Sequence, residues 1–178
     1  PRELRQIAQQ LRTRFFHVQQ AHAVSTHPVP PFPHSGLPDK NHSNKEIDIS
    51  KSHLNYYFKK NELSYIKEFD KLRKKYDLQG QIRSNSIIMC EMIFTSDKEF
   101  FDTIGMEETK RYFEESYKFI CNYKNLGEKN IISAVVHFDE TTPHMHLIYI
   151  PVIHAKDKDG HEIDKVCCRD FWKGRDSY

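Results

Sequence analysis

Residues 137 to 146 read His-Phe-Asp-Glu-Thr-Thr-Pro-His-Met-His, the densest run of chemically capable side chains in the sequence. In a strand, side chains alternate between faces, so His144 and His146 share one face about 7 Å apart while Met145 turns to the other. His137 ends the preceding apolar run, and a short polar turn carries the chain back so that it lies beside the pair. Three converging imidazoles suit a divalent transition metal such as Mn, Zn, Co or Ni. Three protein ligands leave coordination positions open, which is how a catalytic rather than a closed structural ion is held. Asp139 and Glu140 lie in the turn, placed to add a ligand or to accept the hydrogen bonds that orient the rings. A lone His-x-His is usually incidental. The longer string between two apolar runs makes a metal centre the expected reading.

Such histidines need strands to hold them. Ile131 to Phe138 and His144 to Ile153 read as two strands joined by the short turn. Ser84 to Thr95 contains the apolar run Ile87 to Phe94 and reads as a buried third, and Ser52 to Phe58 as a short fourth. Glu62 to Tyr76 carries Leu63, Ile66, Phe69, Leu72 and Tyr76 along one helical stripe. Ser96 followed by Glu99 has the capping-box pattern, which starts a helix at Asp97. Gly105 breaks that helix, and a second, from about Glu107 to Asn125, packs through Phe113, Tyr117 and Ile120 and is closed by Gly127. Asp159-Gly160 marks a further turn. The order β, α, β, α, β, β implies an α+β domain with a central, mostly antiparallel sheet flanked by helices.

The 178 residues are 38% hydrophobic, 29% charged and 12% aromatic, a mix that buries a core and argues against wholesale disorder. The apolar stretch from Leu147 to Ile153 contains Pro151 and falls far short of the roughly 20 residues of a membrane span. The N-terminus shows no apolar signal region and no initiator Met, so a fragment is expected. Cys90, Cys121, Cys167 and Cys168 form no CxxC pair, which fits reduced thiols in a cytoplasm. Residues 2 to 22 read as an amphipathic helix, and Ser25 to Lys40, with five prolines, as an extended linker. The chain therefore divides into 1–40, a helix and Pro-rich linker of uncertain origin, and 41–178, the catalytic domain. A net charge of +2 does not announce nucleic acid. Between Lys40 and Arg83, however, basic residues interleave with Tyr56, Tyr57, Phe58, Tyr65, Phe69 and Tyr76. That segment reads either as a surface for a single nucleic-acid strand or as a solvated helix face.

The string HFDETTPHMH resembles the metal motif of the Mob/Pre family of plasmid mobilisation relaxases and recombination enzymes, within the broader HUH endonucleases. Two more blocks agree. Asp48-Ile49-Ser50-Lys51-Ser52-His53-Leu54-Asn55-Tyr56 resembles the family's upstream motif ending in Leu-Asn-Tyr, and Phe94-Thr95-Ser96-Asp97-Lys98-Glu99-Phe100-Phe101 resembles its Ile-Thr-Ser-Asp-x-x-Phe-Phe block. The resemblance runs from about His42 to the end. It implies a small antiparallel sheet flanked by helices, truncated here at the C-terminus, and strand-specific nicking at a plasmid transfer origin. In that chemistry a side chain attacks the scissile phosphate, the enzyme stays joined to the 5′ end, and religation follows. Carried over by residue, His137, His144 and His146 hold the metal and Glu140 supports it; the ion is expected to be Mn2+ or Mg2+, with Zn2+ as the alternative. His34 stands 22 residues before Tyr56, near the family's nucleophilic histidine, although the arginine of the family's His-x-x-Arg pattern is absent. Tyr56 is the rival nucleophile, because tyrosine plays that part in many related nicking enzymes. Lys51, Asn55, Arg73, Lys74 and Lys75 are the expected DNA contacts. The implied partner is single-stranded or hairpin plasmid origin DNA, with no membrane, and a homodimer would form through the region relatives carry beyond Tyr178. The altered N-terminus supports a second reading, a catalytically inactive DNA-binding remnant.

Overall fold

A computed structural model of the chain describes residues 47–173. The expected helix over 2–22, the proline-rich linker and His34 lie outside the described residues. Four strands, β1 (Tyr56–Lys59), β2 (Cys90–Thr95), β3 (Ile131–His137) and β4 (His144–Tyr149), form one antiparallel sheet in the order β1-β3-β4-β2. β3 is buried at every position but its last. A strand covered on both faces needs a near-continuous apolar run, and Ile-Ile-Ser-Ala-Val-Val, broken only by the small Ser133, supplies it. On one face Ala134, Val136, Met145 and Leu147 pack with Phe113, Tyr117 and Ile120 of α2 (Lys98–Asn122). On the other, Ile132, Ile148 and Ile150 pack with Phe69 and Leu72 of α1 (Tyr65–Lys75). The α+β architecture expected from the element order is what the chain adopts.

Several boundaries differ from the sequence reading, each for a local reason. The block before β1 is a 3-10 helix, Ile49–Leu54, capped by the Asp48 side chain, so the short strand starts only at Tyr56. Ile87 to Met89 precede β2, whose pairing with β4 begins at Cys90 opposite Tyr149. The long strand expected from His144 to Ile153 breaks at Pro151, which has no N–H to donate. The chain turns there and forms a separate hairpin, β5 (Val152–Lys156) and β6 (Glu162–Val166), followed by α3 (Cys168–Trp172). Asp97, not Ser96, caps α2, its side chain accepting from the Phe100 N–H at 2.8 Å. Gly105, at φ 76 and ψ 175, kinks that helix where the break was expected. The helix ends at Asn122, and Gly127 closes the exit with φ 75, its N–H donating to the Cys121 carbonyl at 2.8 Å.

Candidate metal centre

The β3–β4 register sets His137 directly opposite His144. His146, two residues along β4, faces Val135 on one side and Ile93 of β2 on the other. The three rings cluster, with centroids 5.3 Å (His137–His144), 5.7 Å (His137–His146) and 5.0 Å (His144–His146) apart. An ion about 2.1 Å from each ligating nitrogen would lie about 3.2 Å from each ring centre, so tetrahedrally arranged rings would have centres about 5.2 Å apart. The ring centres stand at about that spacing, although the ligand atoms of the trio do not all lie within 4.8 Å of one another as those of Asp157, Asp159 and His161 do.

The partners of the rings also fit. The His144 Nδ1–H donates to the Thr142 carbonyl at 3.0 Å, and the His146 Nδ1–H to Glu91 Oε1 at 2.7 Å. A carbonyl or a carboxylate only accepts, so both neutral rings carry their proton on Nδ1 and their lone pair on Nε2. His137 Nδ1 stands 3.5 Å from Asp139 Oδ1. Burial, then the neighbouring His144 and His146, pulls His137 below the usual histidine value and holds it in the neutral form a metal requires. Glu140 stands on the Nε2 side of His144, with Oε2 at 3.9 Å.

The turn between the two strands is clasped from both flanks. The Asp48 N–H donates to the Asp139 carbonyl (2.6 Å), and the Ser52 hydroxyl to Asp139 Oδ2 (2.7 Å). The Phe138 N–H donates to Asn55 Oδ1 (2.7 Å), and on the other side the Thr95 hydroxyl donates to the Pro143 carbonyl (2.9 Å). All three sequence blocks thus meet at one place. The first and second hold the turn that carries the third.

The other expected site residues are dispersed. Asn55 spends its side-chain carbonyl on the turn, and Lys51 pairs with Asp48 at 3.1 Å. Arg73 reaches back to the carbonyls of Leu78 (3.3 Å) and Gly80 (3.2 Å), whereas Lys74 and Lys75 stand exposed at the end of α1. Tyr56 stacks with Phe138 and points into the α2 side of the core. Its hydroxyl is buried with no hydrogen-bond partner, and burial, with Glu114 adding to it, pushes its pKa up to about 12. Glu91 escaped the sequence reading. Its signal was a single carboxylate in an apolar strand, at the alternation that puts Glu91, Ile93 and Thr95 on the histidine face. A separate exposed group, Asp157, Asp159 and His161 in the β5–β6 turn, has ligand atoms within 4.8 Å of one another. No helix among the described residues is long and apolar enough to cross a membrane.

An antiparallel sheet that brings three imidazoles together from adjoining strands, two of them oriented through Nδ1, defines an α+β domain with a candidate metal centre. The family model for plasmid recombination enzymes (Mob_Pre) matches residues 33–175, and the chain belongs to that family. It is 41% identical over 119 residues to a plasmid recombination enzyme of Lactiplantibacillus plantarum, covering 62% of this chain and 31% of that protein. To one of Streptococcus agalactiae it is 38% identical over 128 residues, covering 70% and 26%. The chain thus spans about a third or less of the length of these curated relatives. Among solved structures, the Mn-bound MobM relaxase domain in complex with pMV158 oriT DNA at pH 6.8 is similar at TM-score 0.60 and 33% identity, over 77% of this chain and 66% of that one. The same domain bound to a 26-nucleotide oriT DNA gives TM-score 0.52 and 25% identity, over 75% of each chain.

Proposed function

We propose that this chain is the nicking and joining domain of a plasmid recombination enzyme, acting on single-stranded or hairpin origin DNA with a divalent metal held by His137, His144 and His146. The observation that carries the reading is the clustering of three imidazoles, two of them fixed through Nδ1 by Glu91 and Thr142, so that Nε2 is the ligating nitrogen. Membership of the family and the likeness to an Mn-bound, oriT-bound relaxase domain support it. Mn2+ or Mg2+ held there by His137, His144 and His146 would supply positive charge to the phosphate as charge develops on it.

The chain's own residues do the rest. Glu91 and the Thr142 carbonyl hold two rings in place, so little reorganisation is needed when a phosphate arrives. Glu140 stands beside His144 to support the centre. His34 is the nucleophile of choice: a neutral imidazole nitrogen attacks the phosphorus, the bond to the leaving 3′ oxygen breaks, and the enzyme keeps the 5′ phosphate. Near pH 7 an imidazole is competent for this, whereas a phenol pushed up to about 12 and buried is not. The phosphoramidate retains the bond energy that rejoining consumes.

The test is a nicking assay on a labelled plasmid-origin oligonucleotide with and without Mn2+, followed by mapping of the DNA-linked peptide. The expected result is an Mn2+-dependent, acid-labile adduct on the peptide containing His34. An acid-stable adduct, or full nicking by His34→Ala, would transfer the role to Tyr56. No adduct from the metal-loaded chain would leave a DNA-binding remnant.

A further inference from the structure

The histidine face of the sheet continues into an exposed aromatic and a cationic cleft. Tyr57 pairs with Val135, and Val135 pairs with His146. Tyr57 therefore lies on the histidine face two strands from His146, about 10 Å away at the usual strand spacing. Tyr57 is 39% exposed, while its neighbour Tyr56 is turned into the opposite core. The Lys60 ammonium sits 5.5 Å from the Tyr57 ring centre. From Lys60 a cleft of about 260 Å³ opens between β1, α1 and the start of β3. Lys59, Lys60, Lys71, Lys75 and Lys129 line it against two carboxylates, Glu62 and Glu68.

Those carboxylates are already committed. Glu68 is buried, accepts from the Glu62 and Leu63 N–H groups at 3.3 Å, and pairs with Lys71 at 3.5 Å; Glu62 also faces Lys71, at 4.0 Å. Lys129 pairs with Asp164 at 3.2 Å. Among the described residues, no carboxylate pairs with Lys59, Lys60 or Lys75. Lys59 is held by the Glu128 carbonyl at 2.8 Å, and Lys75 and Lys129 both lie over the Tyr76 ring, at 5.1 and 5.3 Å. The surplus is cationic, and the partner that fits it is anionic.

We infer that Tyr57 and the lysine cleft form a docking track for single-stranded DNA entering or leaving the histidine centre, with a base stacked on Tyr57 and backbone phosphates held by Lys60 and Lys75. The inference rests on the reading of that centre as a DNA-nicking site. Length agrees. The cleft lies at Ile131 and Ile132 and His137 ends the same strand, so the track runs about 20 Å along β3. Composition agrees as well: cations that follow a backbone, with an aromatic that accepts any base, are the means of holding a strand without reading its sequence. A duplex keeps its base faces stacked inside and offers Tyr57 nothing to stack on, so the occupant is a single strand.

The test is binding of a fluorescein-labelled single-stranded oligonucleotide to the full chain, titrated across salt with Mn2+ present. The double variant Lys60→Glu/Lys75→Glu should bind at least about tenfold more weakly and show a log K against log salt slope shallower by about 1.4, since each lost phosphate contact removes about 0.7. Tyr57→Ala should lose about tenfold with the slope unchanged, and Tyr57→Phe should bind like the parent because a phenyl ring stacks as well as a phenol. Lys158→Glu, in the β5–β6 turn, is the surface control, and thermal melting of each variant reports its fold. Parent-like binding by the double variant and Tyr57→Ala, with metal-dependent nicking intact in the parent, would overturn the track and leave the nicking reading standing. Loss of binding in those variants with no metal-dependent nicking by the parent would establish the track and remove the nicking reading. A parent chain that binds no single strand would overturn both.

Discussion

Asn55 should matter for the metal centre although it touches none of the three histidines. Its side-chain carbonyl accepts the Phe138 N–H at 2.7 Å, and Phe138, 7% exposed, directly follows His137. Asn55→Ala removes the acceptor and leaves that N–H without a partner where water is scarce, which costs about 1–3 kcal/mol. At about 2–4 °C per kcal/mol for a chain of this size, a loss of about 2 kcal/mol lowers Tm by about 4–8 °C. The loosened turn also displaces His137, so Mn2+ affinity should fall about tenfold, in line with other substitutions one shell behind a metal ligand. Asn55→Asp keeps an acceptor oxygen and should recover most of both losses. Thermal melts of the three proteins, each with and without saturating Mn2+, measure both effects. A Tm for Asn55→Ala within about 1 °C of the parent, where about 4 °C or more is expected, would refute the clasp. So would Asn55→Asp falling as far as alanine.

Three further outcomes follow from the same structure. Glu91→Gln weakens the hold on the His146 Nδ1–H and should cost about 10- to 100-fold in metal affinity by calorimetry, with little change in metal-free stability. Burial raises Tyr56, Tyr65 and Tyr112 from 10.0 to about 12, so stability should be full below pH 10 and fall as pH rises toward 12, because the unfolded chain loses its phenolic protons first. Tyr56→Phe should flatten that fall by up to about 1 kcal/mol per pH unit in denaturant melts and cost nothing at neutral pH, since the lost hydroxyl had no partner. Arg73→Ala should lower stability by about 1–2 kcal/mol through its two carbonyl contacts, with the salt dependence of DNA binding unchanged.

The histidine cluster was legible because it is local. A period of two along β4 and one short turn bring His137, His144 and His146 together, and no distant contact is needed to foresee it. The Gly105 kink was legible for the same reason, as a backbone demand on one residue. Long-range placements were not. Glu91 reaches His146 across 55 positions of sequence, and only the β2–β4 register shows that its carboxylate faces a ring. Asn55 and Arg73 look like contacts for DNA because both are polar and lie near aromatics or lysines, yet each is turned to a backbone group of its own fold. The sequence offers Tyr56 as the rival nucleophile, and only the packing of β1 on Phe138 shows that its hydroxyl lies out of solvent. The split at Pro151 was readable from its missing N–H, but the apolar run around it outweighed that signal. The β5–β6 hairpin left only its Asp159-Gly160 turn in view, because neither strand carries a clean alternation.

The most direct measurement is a calorimetric titration of Mn2+ into chelator-treated protein, parent against His144→Ala. A centre held jointly by His137, His144 and His146 predicts one site per chain in the parent, its loss in His144→Ala, and a Tm that rises with Mn2+ only in the parent. Undiminished binding by His144→Ala, or a site that vanishes instead when Asp157 is replaced, would contradict it and place the metal in the β5–β6 turn.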